Sequence, residues 1–122
     1  LSAVAQLLGV DETVLYSGNL TGNGSTAELS ETVNNFERIK IYGHSDDGIN
    51  YPWYIETYTT ASSGQIGIAT TNKGWSKWFV IKVQDNNLTN ISGKAHTWGA
   101  TSWSNPVNWG TTKIIGVHRI SG

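Results

Sequence analysis

About eight short segments of this chain carry a two-residue hydrophobic period, and clusters of Gly, Asn, Asp and Ser separate them at roughly 8–12-residue intervals. A period of two puts alternate side chains on opposite faces of a strand. Successive strands with no helical run between them bury their apolar faces by stacking two sheets. Thr13–Ser17 is the first run and ends at Gly18; Gly18 to Ser25, with its Asn23-Gly24 pair, reads as a turn cluster. Ser25 to Leu29 alternates weakly. Phe36–Tyr42 alternates strictly, with Ile39 and Ile41 opposite Arg38 and Lys40. Trp53 to Thr59 sets Trp53, Ile55 and Thr57 against Tyr54, Glu56 and Tyr58, and Gly64 to Thr70 puts Ile66 and Ile68 on one face. Lys77–Val83 is the most apolar run, which predicts a central strand covered on both faces. Asp85-Asn86-Asn87 turns the chain. Leu88–Ile91 and Lys94–Trp98 read as two weaker strands, Trp98 to Gly110 as a long loop, and Lys113–Ile120 as the closing strand. The expectation is an all-β fold, an antiparallel β-sandwich of about eight strands with a short N-terminal helix.

That helix rests on Ser2–Gly9, where Ser2 caps, Val4, Leu7 and Leu8 share a face, and Gly9 terminates. Two turns alone are marginal in water. The segment suits packing against its own copies in a trimer, and equally suits an unstructured leader. The expected organisation is a helix or linker over residues 1–11 and one sandwich over residues 12–122. A chain of 122 residues has room for one ordinary domain. It starts at Leu1 and holds no Met, so it reads as a processed or terminal piece of something longer. It has no Cys, which removes disulfides, thiolate ligands and thiol nucleophiles. Charged residues are 14% and the net charge is −1, which argues against phosphate-backbone binding and against a basic membrane-surface module. No apolar run approaches the roughly 20 residues of a membrane-spanning helix.

Six Trp and five Tyr against two Phe are many for this length. Such rings pair an apolar face with a polar edge, which suits interfaces and sugar stacking. Trp53 and Trp78 read as core. Trp103 and Trp109, in the late loop, are candidates for contact with a glycan, a protein receptor or a sister subunit. Asn105 and Asn108 accompany them, and His44, Asp46 and Asp47 form a second candidate cluster in the His44–Asn50 loop. There the aromatics stack or fill pockets and the polar groups fix orientation. Asp46-Asp47-Gly48-Ile49-Asn50 offers hard oxygen ligands but lacks the EF-hand pattern, and Asp-Gly also makes a hairpin turn. His44, His96 and His118 lack metal-ligand spacing and read as satisfied or solvated. The carboxylates Glu28, Glu31, Glu37, Glu56, Asp85 and the Asp46–Asp47 pair are the candidates for glycosidase acids. Glu56, between Tyr54 and Tyr58 on one strand face, is the most interesting of them. Neither a G-x-S-x-G elbow nor a phosphate loop is present. The N-x-[ST] triplets at Asn19, Asn23, Asn87 and Asn90 read as turn chemistry. No cofactor is expected, and no enzyme.

Three blocks carry a resemblance: Glu12–Gly18, leading into a Gly/Asn/Ser/Thr loop; Ala27–Tyr42, with its L-x-x-x-V-x-x-F-x-x-I-x-I-Y pattern; and the terminal Thr112–Ile120. Together they resemble the C-terminal receptor-binding tip domains of tailed-bacteriophage tail fibres, over most of Glu12 to Ile120. The resemblance implies a β-sandwich assembled as a homotrimer at a fibre tip, with the N-terminal helix where shaft meets tip. It implies a non-enzymatic virion protein that binds a bacterial surface polysaccharide or outer protein. It supplies no binding residues. A stand-alone carbohydrate-binding module or lectin is the alternative, and a glycan hydrolase fragment a more distant one.

Overall fold

The two-residue periods become eight antiparallel strands in the computed structural model of the chain, which describes residues 10–45, 52–59, 64–72, 75–97 and 109–119. They are β1 (Val10–Thr21), β2 (Thr26–Glu28), β3 (Arg38–His44), β4 (Pro52–Tyr58), β5 (Gln65–Asn72), β6 (Trp75–Gln84), β7 (Asn87–Thr97) and β8 (Gly110–Arg119). One sheet runs β1-β8-β3-β4 and the other β2-β7-β6-β5, antiparallel throughout. The fold is a β-sandwich-like pair of four-stranded sheets. The helix expected at Ser2–Gly9 lies outside the described residues, and β1 starts at Val10, ahead of the boundary expected at Glu12.

The core fills the space between the sheets. Ile39 and Ile41 of β3, Trp53 of β4 and Ile114 of β8 join Ile68 of β5, Phe79, Ile81 and Val83 of β6 and Leu88 of β7 in one cluster. Each such side chain contributes about 1.5–3 kcal/mol on leaving water. Phe79 stacks on Trp109 at 4.8 Å and on Trp53 at 6.2 Å. Gly93 makes room for this stack: a Cβ there would lie 2.8 Å from Trp109 Nε1 and 2.9 Å from the Phe79 ring. Leu29, Val33 and Phe36 close one end, where a 3-10 turn (Val33–Asn35) starts at Thr32, whose hydroxyl accepts the Asn34 N–H.

The register explains where the strands depart from the sequence reading. β1 continues through Gly18 and Asn19 to Thr21, so the turn shrinks to the stretch between Thr21 and Thr26. β7 is one strand, not two: Asn90 pairs with Ile81 and Ser92 with Val80, which leaves Ile91 as an inserted residue. The insertion shifts the inward phase from Leu88 and Asn90 to Gly93 and Ala95, and that phase break reads as two short segments. β6 is interior to its sheet but covered on one face only. Phe79, Ile81 and Val83 are buried while Trp78, expected in the core, is 51% exposed on the outer face. Two apolar residues on the outward phase, Trp78 and Val80, made the run look continuous.

Register also sorts the connections between the two ends. His44 pairs with Pro52 and with Gly110, and Gly110 pairs with Thr21. The strands flanking residues 46–51 and 98–108 therefore open at one end of the sandwich, together with the β1–β2 turn. Val10 and Arg119 pair at the opposite end, which also carries the Asp85-Asn86 hairpin. Asp85 holds a left-handed φ of 53° there, and its carboxylate accepts from Asn34 Nδ2 at 3.0 Å.

Candidate recognition surface

With Ile39, Ile41 and Trp53 committed inward, alternation turns Arg38, Lys40 and Tyr42 of β3 and Tyr54, Glu56 and Tyr58 of β4 to the outer face of their sheet. Tyr42 lies opposite Tyr54 with ring centroids 4.8 Å apart, and Lys40 lies opposite Glu56. Arg38 pairs with Glu56 at 3.0 Å, and the Tyr54 hydroxyl donates to Glu56 at 3.1 Å. Lys40 reaches over β8 to bond Glu12. That carboxylate pushes the Lys40 pKa up. Desolvation against the sheet, reinforced by Glu56 as acceptor, pushes up Tyr54. Glu56, singled out as a candidate acid, is thus an acceptor held by two donors.

Beside this network an open depression of about 590 Å³ is lined by Ser17, Gly18 and Asn19 of β1, Tyr42 of β3, and Thr112 and Lys113 of β8. Its volume falls within the roughly 300–1,000 Å³ of small-molecule sites. Its origin is in the ladders. Between β1 and β8 the pairing steps from Ser17–Lys113 to Leu20–Thr111, so Gly18 and Asn19 face Thr112 alone. Between β3 and β8 it steps from Tyr42–Lys113 to Gly43–Thr111, so Thr112 has no partner on β3. Two of the three irregularities in the β8 ladders meet at this one residue; the third skips Leu15, between the Val14–Ile115 and Tyr16–Ile114 pairs. Bulges re-aim side chains and interrupt pairing, and they concentrate beside functional sites. A smaller cavity of about 140 Å³ lies between the edges of β4 and β5, against Ile39, Ile66 and Val83.

Of the contact residues expected from sequence, Asp46, Asp47, Trp103, Asn105 and Asn108 lie outside the described residues. The two that are described are both buried. Trp109 is 0% exposed, stacked on Phe79, and its indole N–H donates to Asn23 Oδ1 at 2.8 Å. It is a core residue, because Gly93 opens a slot for it beneath the turn that carries Asn23. His44 is 2% exposed. Its Nδ1 lies 2.8 Å from the Ser45 carbonyl and its Nε2 2.8 Å from Asn19 Oδ1. Neither ring is free to meet a ligand, but His44 fixes Asn19 at the rim of the depression.

Sequence reasoning passed over Tyr42, Lys113, Ser17, Asn19 and Thr112. The available signal was Gly18-Asn19 inside a β-type run, which marks a bulge as readily as a turn. The Asn-containing triplets divide likewise. Asn23 belongs to a turn and Asn87 opens β7 after the hairpin, whereas Asn19 and Asn90 sit within strands. Asn90, 0% exposed, donates to the Leu20 carbonyl at 2.8 Å and accepts from the Thr111 hydroxyl at 3.0 Å. The His118 ring packs at a tilt of 36° against Phe36, centroids 4.3 Å apart, and lies 4.0 Å from Asp11. Among the described residues no three His, Asp or Glu side chains gather as a metal site. No protein-family model matches the chain, and no curated protein matches its sequence.

Proposed function

We propose that this chain is a non-catalytic recognition domain, the receptor-binding tip of a tailed-bacteriophage tail fibre. In this reading it sits outside the cell on the virion as a homotrimer and attaches to a bacterial surface polysaccharide or outer protein. The sequence resemblance over most of Glu12 to Ile120 supports the assignment. The observation that carries it structurally is the division of the sandwich ends. The strands flanking residues 46–51 and 98–108 open at one end, near the Tyr42–Lys113 depression, and the paired Val10 and Arg119 mark the other. A rigid sandwich that carries a shaped depression on one sheet suits recognition. Three copies raise weak single-site affinity by avidity.

The test is saturable binding of the fluorescently labelled chain to a panel of bacterial strains, before and after removal of surface polysaccharide or protease treatment. Saturable binding to some strains, lost on one treatment, with polysaccharide chain length unchanged, supports the reading. Absence of saturable binding to every strain refutes it. Light scattering after size exclusion reads the assembly: three times the monomer mass supports the trimer. A monomer that binds purified polysaccharide indicates a stand-alone lectin.

A further inference from the structure

We infer that the depression at the double bulge of β8 is the binding site for an acidic sugar residue, one whose ring carries a carboxylate. The inference rests on the recognition reading above and gives it a site and a ligand class. Three observations carry it. First, two of the three ladder irregularities of β8 converge on Thr112, which lacks a register partner on β3 and faces two residues on β1. Second, the lining contains one cation and no acid: Lys113 stands among Ser17, Gly18, Asn19, Tyr42 and Thr112. Third, the neighbouring cations of the same face are spoken for, Arg38 by Glu56 and Lys40 by Glu12. Lys113 makes no ion pair among the described residues.

The chemistry of each group follows from its type. The Tyr42 ring, braced by Tyr54 at 4.8 Å, offers an apolar face to the C–H side of a pyranose. The Lys113 ammonium pairs with the carboxylate in a charge-assisted hydrogen bond. The Ser17 and Thr112 hydroxyls donate or accept as the sugar hydroxyls require, and Asn19, held by His44, adds an amide. A neutral sugar keeps the ring contact and loses the ion pair. Discrimination therefore falls on one charge.

The experiment titrates the full chain with methyl glycosides of glucuronic, galacturonic and N-acetylneuraminic acids and with those of glucose and galactose, followed by amide chemical shifts. The expected result is that at least one acidic glycoside binds about tenfold more tightly than its neutral counterpart, with shifts centred on Tyr42, Thr112 and Lys113. Raising salt weakens that binding, and Lys113→Gln reduces it to the neutral level while circular dichroism stays unchanged. Tyr42→Leu weakens acidic and neutral glycosides alike. Equal binding of acidic and neutral sugars overturns the proposal, as do shifts centred elsewhere or full acidic preference in Lys113→Gln. No binding of acidic glycosides by a chain that still binds cells overturns the site and leaves the recognition reading standing. Binding to neither sugars nor cells overturns both.

Discussion

Replacing Trp109 by Ala separates a core role from a contact role at this position. The ring is 0% exposed, so its removal forfeits the full transfer term and leaves a cavity beside Phe79, together about 3–5 kcal/mol. The stack on Phe79 at 4.8 Å adds about 0.5–1.5 kcal/mol within or beyond that range. The lost indole hydrogen bond adds little, because Asn23 Oδ1 also accepts from the Gly93 N–H at 3.1 Å and is not orphaned. Trp109→Ala therefore costs about 4–5 kcal/mol, a large share of the roughly 5–15 kcal/mol by which a domain is stable. The melting temperature falls by more than about 10 °C. Trp109→Phe keeps an aromatic on Phe79 and costs about half as much. Urea unfolding followed by far-ultraviolet circular dichroism measures both without relying on the replaced fluorophore. A cost below about 1.5 kcal/mol for Trp109→Ala refutes the reasoning, and a loss of cell binding at unchanged stability returns Trp109 to the contact surface.

The other predictions address neighbouring features. Asn90→Ala leaves the buried Thr111 hydroxyl and the Leu20 carbonyl without their partner and costs about 2–3 kcal/mol in the same urea assay. Gly93→Ala forces a Cβ against Trp109 and Phe79 and costs about 1–3 kcal/mol, whereas Trp78→Ser, at a half-exposed site, changes stability by less than about 1 kcal/mol. The raised pKa of Lys40 favours its charged form in the folded state, and that of Tyr54 its neutral form. Both contributions are complete below the unfolded values near pH 10 and are lost as pH rises through the higher folded values. The urea midpoint thus falls above about pH 10, and it falls less steeply in the Lys40→Gln, Tyr54→Phe double variant; equal slopes would contradict the ion-pair and phenol assignments.

How far the sequence can be read depends on whether one strand keeps one phase. β4 keeps its phase from end to end and β3 keeps its own from Arg38 to Gly43, so the inward Ile39, Ile41 and Trp53 and the outward Arg38, Lys40, Tyr54 and Glu56 follow from alternation alone. β7 changes phase at Ile91, and β1 and β8 lose register around Gly18–Asn19 and Thr112, so alternation there describes two half-strands or a turn. The depression was illegible for the same reason, since it exists only where three strands lose register together. Residue type misled in two places. Trp109 looks like a loop aromatic until a glycine on another strand is known to leave space for it. His44 looks like a loop polar group until Asn19, 25 positions earlier, is brought against its ring.

The two ends of the sandwich are held by different chemistry, and the difference bears on the site. At the end carrying Val10 and Arg119 the buried closure is an apolar plug of Leu29, Val33 and Phe36, with the Asn34–Asp85 and Thr59–Phe36 hydrogen bonds around it. Toward the other end the closures are directional: Asn90 to Leu20 and Thr111, Asn23 to Gly93 and Trp109, His44 to Asn19. Leu20–Thr111 is the first registered pair beyond the bulge that shapes the depression. Asn90, on the opposite sheet, bonds both of its members. An apolar side chain at Asn90 would fill the same space without fixing where β1 re-enters register. The buried amide therefore ties the re-entry of β1 into register to the opposite sheet, and a variant that restores stability there without restoring hydrogen bonds leaves Ser17, Asn19 and Thr112 displaced around the depression.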